Sequence, residues 1–333
     1  MLIKPTYLHK PIGSIESLAK SLGLSKEDLI ELASNSNEYF FIAKKVEKPD
    51  KSIRLTYDVK PRLKQIHEKI CCNLLKKVNY PDYIQGGVRG KSYLSNCQNH
   101  THKKIVIKED VSNFFPSISK KIIHEVWAGF FHFPSDVSEL LSELVTFNGY
   151  LVQGGKASGF LCNLVLYDRE SKLVEEFSKK GFKYTRFVDD ITISCLRNIT
   201  KDEQTYIIRK TYGLLKSIEV NPNKRKHKIM SNGVQQQLHG VNLNTNKPTL
   251  PKAERKKIEA AVFQCEKAHS ENSNSIQYIK QFNSAMGRVN TMKRMHPKAG
   301  QALLERLCKI KPQINSRTFE QKHRLEIFRN LVN

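Results

Sequence analysis

Two adjacent carboxylates, Asp189 and Asp190, sit in the stretch Tyr184-Thr185-Arg186-Phe187-Val188-Asp189-Asp190-Ile191-Thr192-Ile193-Ser194. Ile191 and Ile193 alternate with Thr192 and Ser194, the period of a half-buried strand, so 184–188 and 191–194 read as a hairpin folded over the pair. Asp is also a common turn residue, and alone the pair fits a surface turn better. In an apolar hairpin the two charges repel, and a divalent cation would compensate them. A third carboxylate reverses the preference. In 105–115 a β-branched run ends on Asp110 and an aromatic pair, Phe114-Phe115, follows. Carboxylates meeting at strand ends form the donor set that holds two divalent ions roughly 3.5–4 Å apart for phosphoryl chemistry.

Composition narrows the partner. The 333-residue chain carries 56 Lys and Arg against 32 Asp and Glu, a formal +24. So large an excess points to a polyanion, nucleic acid before any other. A hydrophobic share of 39% and an aromatic share of 9% suit a globular chain with room for two or three subdomains. No run approaches the roughly 18 consecutive apolar residues of a bilayer span. The start, Met1-Leu2-Ile3-Lys4-Pro5, lacks a signal-peptide core. Seven cysteines without a CxxC pair read as reduced thiols of a cytoplasmic protein, with no zinc site.

Elements that would position the carboxylates surround them. Residues 14–22 and 27–33 read as short helices, the second capped by Ser25. Leu18–Ser25 imitates a helix-turn-helix DNA reader, but 26–33 hold three acids and one lysine. A helical cap on a larger domain is the preferred reading. Residues 39–46 and 53–57 read as strands joined through Lys48-Pro49-Asp50-Lys51, and 62–77 as an amphipathic helix through Leu63, Ile66, Ile70 and Leu74. Gln85-Gly86-Gly87-Val88-Arg89-Gly90-Lys91 is a basic glycine-rich loop without Walker spacing. Its backbone, Arg89 and Lys91 are expected to approach template or primer phosphates. Further helices are expected over 118–131, 137–146, 164–177 and 204–217. Basic helices are expected over 254–269, 275–293 and 299–310, with a polar break at 270–274.

In this order the pieces resemble a reverse transcriptase. Phe187-Val188-Asp189-Asp190 matches the family's (Tyr/Phe)-x-Asp-Asp box, and Asp110 its upstream aspartate. The run from Gln153 to Leu164 matches Gln-Gly-x-x-x-Ser-x-x-x-x-Asn-Leu, with Lys156 and Gly159 where prolines are usual. Asn221-Pro222-Asn223-Lys224 resembles Asn-x-x-Lys. Asn96-Cys97-Gln98-Asn99-His100 resembles the Asn-Ala-x-x-His of the retron branch, with Cys97 in place of Ala. Leu238-His239-Gly240 sits at that branch's Val-Thr-Gly and keeps only the glycine. Ala285-Met286-Gly287-Arg288-Val289-Asn290 resembles the thumb helix of bacterial members. The resemblance runs over residues 39–310.

It implies an α+β right-hand polymerase: an N-terminal helical segment (1–38), fingers (39–104), a palm with an antiparallel sheet (105–245, with 118–150 partly fingers) and a helical thumb (246–333). It also implies an RNA-directed DNA polymerase of retron type, copying part of a dedicated structured RNA from that RNA's own 2′-OH. Its partners would be that RNA, the DNA product and dNTPs, with antiphage defence and a separately encoded effector as the family role. Mg²⁺ is the implied cofactor, on Asp110, Asp189, Asp190 and the Val111 carbonyl. Arg54, Lys51, Gln153 and Lys224 are expected at the incoming nucleotide, with Phe115 as the steric gate against a ribose 2′-OH. Phe114, its neighbour on an extended segment, would face the core. Asn96, His100, His239 and Arg288 join Arg89 and Lys91 as expected RNA contacts. The short chain leaves no room for maturase, endonuclease or RNase H parts. Two other readings stay open. One is a different small defence-associated reverse transcriptase, which the altered motifs at Asn96 and Leu238 would fit. The other is a non-catalytic RNA-binding palm, against which the three carboxylates stand.

Overall fold

Serine caps start the first two helices: Ser14 and Ser25 each accept a hydrogen bond from the amide three residues on. The computed structural model describes residues 3–48, 51–273 and 275–312. In chain order it begins with Thr6–Tyr7 (β1), Ile15–Leu22 (α1) and Lys26–Ser34 (α2). Leu18, Leu22, Leu29 and Leu32 bury the apolar sides of both helices in the main core, so the pair packs as a cap on it. Phe40–Glu47 (β2) and Ile53–Val59 (β3) form an antiparallel hairpin. Pro61–Asn73 (α3) stops short of residue 77; Leu75–Lys77 tighten into a 3₁₀ turn before Val78–Asn79 (β4), which pairs with β1.

Tyr93–Asn99 (α4) leads to Ile105–Asp110 (β5), a β-branched strand buried along nearly its whole length. After it come Phe114–Ser117 (α5), Lys120–Glu125 (α6) and Ser135–Val145 (α7). The helix expected over 118–131 starts only after the Ser119 cap and widens into a π-helical turn over Val126–Phe130. A separate helix, Ser158–Leu164 (α8), ends where the helix expected over 164–177 was to start, and that helix begins only at Glu170 (Glu170–Lys179, α9). Between them the Tyr167 and Arg169 amides bond to carbonyls three residues back, which tightens the chain out of α geometry. Lys183–Phe187 (β6), Asp190–Cys195 (β7), Lys201–Lys216 (α10) and Lys228–Ser231 (β8) complete this unit. Its sheet is antiparallel throughout, in the order β6-β7-β5-β8, so the strand ending on Asp110 lies inside the sheet beside the hairpin carrying Asp189 and Asp190.

The chain divides into two compact units, one running to Val234 and one beginning at Gln235. In the second, Gln237–Leu238 (β9) and Val241–Asn242 (β10) form a hairpin. Its two-residue turn, His239-Gly240, has positive φ at both positions, 51° and 77°. That is the turn whose twist matches paired strands, which accounts for the glycine. Lys252–Asn272 (α11), Ile276–Met295 (α12) and Pro297–Lys309 (α13) pack around Val262, Tyr278, Phe282, Val289 and Leu307. Helix α11 continues through most of the expected polar break, of which Asn274 lies outside the described residues, as do 313–333 of the expected thumb. Among the described residues no helix is long and apolar enough to cross a membrane.

Candidate active site

In the β5–β7 ladder Asp110 stands directly opposite Asp190. The chain passes from β6 to β7 through only two residues, Val188 and Asp189, with Val188 at φ 60°. A β-branched residue there is strained by about 1–3 kcal/mol and persists only where its surroundings over-determine it. Two contacts do so. A Cβ added to Gly86 would lie 2.6 Å from the Val188 nitrogen and 2.7 Å from its side chain, so only glycine lets the two backbones meet. The Arg186 guanidinium donates to the Val188 carbonyl at 3.3 Å.

Arg186 is itself buried, 1% exposed, and forms a fork with Glu170 at 2.6 and 2.8 Å. Its other N–H groups donate to the Cys162 and Asn163 carbonyls, both at 3.1 Å, and Tyr184 donates to Glu170 at 2.7 Å. Asn163 in turn donates to the Gly86 carbonyl at 2.8 Å. The α8 end, the glycine loop and the Asp-Asp turn are thereby tied to one another. Sequence reading misses this network. An arginine between Tyr184 and Phe187 in a strand leading to the aspartate pair was the available signal, since such a charge, if buried, must find a partner.

The turn brings Asp189 up to Asp110, and the Val111 amide donates to the Asp189 carbonyl at 3.1 Å. Burial first, then the charges of Asp190 and Asp110, push the Asp189 carboxyl above the usual carboxylate range. Cations partly offset this concentration of charge. Lys226 lies 3.1 Å from Asp110, where Asn223 also donates at 3.1 Å, and Lys108 lies 2.9 Å from Asp190. Among the described residues no three His, Cys, Asp or Glu side chains are already gathered as a ligand set. The donors are hard oxygens with excess negative charge, and that chemistry fits hard divalent cations.

Arg54, Lys51 and Arg89 are exposed, on β3, beside the β2–β3 turn and on the glycine loop. Arg288 is exposed on α12, and His239 is half-buried in its turn. The Gln153 carbonyl accepts from the Tyr57 amide at 2.8 Å, anchoring β3. Phe115 is half-buried and Phe114 buried, as expected, but their segment is the one-turn helix α5 following Asn113 in the left-handed region, not an extended strand.

The expectations for Asn96, His100, Lys91 and Gly86 are corrected. Asn96 and His100 do not face RNA: both are fully buried beneath the hairpin. His100 bridges its two strands, Nε2 to Thr185 and Nδ1 to Ser194, each at 2.7 Å, and Thr185 donates to Asn96 at 2.6 Å. Lys91 is turned inward and donates to the Pro81 and Ile84 carbonyls at 2.9 and 3.0 Å, bracing its own loop. Gly86 serves close approach to Val188 and not to a phosphate. Lys224 lines a pocket against α10, while Lys226, two residues on, is the cation that reaches Asp110.

Residues 46–278 match the family described as reverse transcriptase (RNA-dependent DNA polymerase). The chain is 31% identical over 298 residues to the retron Se72 reverse transcriptase of Salmonella heidelberg, covering 88% of this chain and 78% of that one. It is 30% identical over 323 residues to the retron Ec48 reverse transcriptase of Escherichia coli, covering 92% and 78%. Apo telomerase from Candida tropicalis superposes only loosely, with a TM-score of 0.45 at 10% identity over 92% of this chain and 72% of that one.

Proposed function

The chain belongs to the reverse transcriptase family, and on that premise we propose that it copies part of one cognate structured RNA into single-stranded DNA, as a retron enzyme in antiphage defence. RNA-directed DNA synthesis with a divalent metal follows from the family; Mg²⁺, the product and the defence role with an effector partner are our reading. What carries the mechanism is the register that sets Asp110 against Asp190 and brings Asp189 alongside.

Asp110, Asp189 and the Val111 carbonyl would hold the ions, with Asp190 closing the carboxylate group. Bound there, two Mg²⁺ ions would acidify the primer hydroxyl and neutralise the triphosphate. The protein's own share is position and charge. Arg186 and Gly86 fix the turn that presents Asp189. Lys226 is half-exposed beside Asp110 and would be suited to meet triphosphate oxygens. Phe115 would bar a ribose 2′-OH, and Arg54 and Lys51 would meet the incoming phosphates. Arg89, His239 and Arg288 would contact RNA.

The test is primer extension on a primed RNA template, with and without Mg²⁺, for the unaltered chain and Asp189→Asn. Synthesis by the unaltered chain alone, and only with the metal, is the expected result. Equal synthesis by both proteins would place the chemistry elsewhere.

A further inference from the structure

Helix α10 turns Ile207, Thr211, Leu214 and Leu215 to the core. Arg209, Tyr212, Gly213 and Lys216 recur at i, i+3, i+4 and i+7 and so form one stripe on a different face. With Asn221, Pro222 and Lys224 of the following loop they line a pocket of about 640 Å³. Three of its seven lining residues are cations and none is an acid. Asp110, Asp189, Asp190 and Phe115 do not line it, although its Pro222 wall pairs with Val111, next to Asp110.

Gly213 supplies the second observation. Glycine inside a helix costs about 0.5–1 kcal/mol relative to alanine. Usually a left-handed backbone or a crowded neighbour requires it. Gly213 has neither: its φ is not positive, and an added Cβ would meet nothing within 4 Å. What such a Cβ would enter is the pocket. Tyr212 forms another wall and is steadied by its hydroxyl, which donates to the buried Glu109 at 3.4 Å.

We propose that this pocket binds the phosphodiester backbone of RNA, with Arg209, Lys216 and Lys224 at the phosphates and Tyr212 against a ribose or base. Gly213 keeps the floor open. The proposal rests on the RNA-directed polymerase reading only for the identity of the polyanion. A nucleoside triphosphate shares the same phosphate chemistry, and the experiment separates the two.

The affinity of the full chain for a mixed-sequence single-stranded RNA is measured against salt for the unaltered protein, Arg209→Glu/Lys216→Glu and Gly213→Ala, alongside KM for dNTP in primer extension. Charge reversal should weaken RNA binding about tenfold or more and flatten the log–log salt slope by roughly 0.7 for each phosphate no longer neutralised. Gly213→Ala should raise the thermal midpoint, as alanine does in a helix, yet weaken RNA binding. A merely structural glycine would not give those opposite signs. RNA affinity unmoved in both variants overturns the proposal. A raised KM for dNTP with RNA affinity unmoved overturns it as well, and assigns the pocket to the triphosphate. Absence of DNA synthesis by the unaltered chain would remove the polymerase reading instead, while the RNA measurement still decides the pocket.

Discussion

Asp189 is held at a cost to stability, because burial and two neighbouring carboxylates disfavour its charge. Asp189→Asn removes that charge and keeps the shape. We expect DNA synthesis to fall more than about a hundredfold, roughly 2.7 kcal/mol of barrier, through loss of a metal ligand. In metal-free buffer the same change should raise the thermal midpoint, because the disfavoured charge is gone. Added Mg²⁺ should stabilise the unaltered chain more than the variant, and calorimetry reads this without any turnover. A lowered midpoint would mean that Asp189 is already compensated. Phe115→Ala tests the neighbouring chemistry. If the ring bars the 2′-OH, the rNTP/dNTP ratio should rise about tenfold or more, roughly 1.4 kcal/mol of discrimination. An unchanged ratio would make Phe115 a packing residue. The carboxylates were legible in the sequence because Asp110, at the end of a β-branched run upstream, turns an otherwise ambiguous aspartate pair into a donor set. Asn96 and His100 were misread because their chemistry suits an RNA contact equally well. Only the folded hairpin supplies the Thr185 and Ser194 hydroxyls that occupy His100.

At the scale of elements, three segments distant in sequence hold one two-residue turn. The glycine loop contributes the missing Cβ at Gly86, α8 contributes the Cys162 and Asn163 carbonyls, and α9 contributes Glu170. Arg186 joins them, and removing one partner of so buried a pair costs about 3–5 kcal/mol. Gly86→Ala is the sharper probe, since it adds one methyl and removes no hydrogen bond. Overpacking of this kind costs about 1–3 kcal/mol and should displace Val188 and with it Asp189. We expect synthesis to fall at least tenfold while RNA affinity holds, because Gly86 is buried. Full activity in Gly86→Ala would show that the turn tolerates movement. Strands and helices around this turn could be read from periodicity and caps, which are local signals. The break at 165–169 and the π-helical turn at 126–130 could not, because apolar spacing alone continues through both. What glycine and arginine do here depends on which segments meet, and spacing along the chain carries no record of that.

Across the whole molecule, the +24 charge and the retron relatives bear on one question, which nucleic acid the chain works on. Long-range charge gives affinity without choice, since phosphate contacts are shared by every RNA. Selection of one RNA needs shape-reading groups outside the palm sheet. With Asn96 and His100 inside the core, such groups would have to lie at exposed positions, and Arg89 and Arg288, both exposed, are the ones proposed above. An enzyme that primes from its own RNA's 2′-OH leaves a covalent trace. The protein expressed with its native locus should therefore co-purify with one RNA species joined to single-stranded DNA. RNase digestion should leave DNA that still bears a short RNA remnant at its 5′ end. Arg288→Ala should weaken RNA binding and make the salt slope shallower by roughly 0.7–0.9, one phosphate's worth, while the linked product, where it forms, keeps its sequence. Sequencing of the digested nucleic acid decides the matter: DNA without any RNA linkage would replace the retron priming mode with synthesis from an ordinary 3′-OH end.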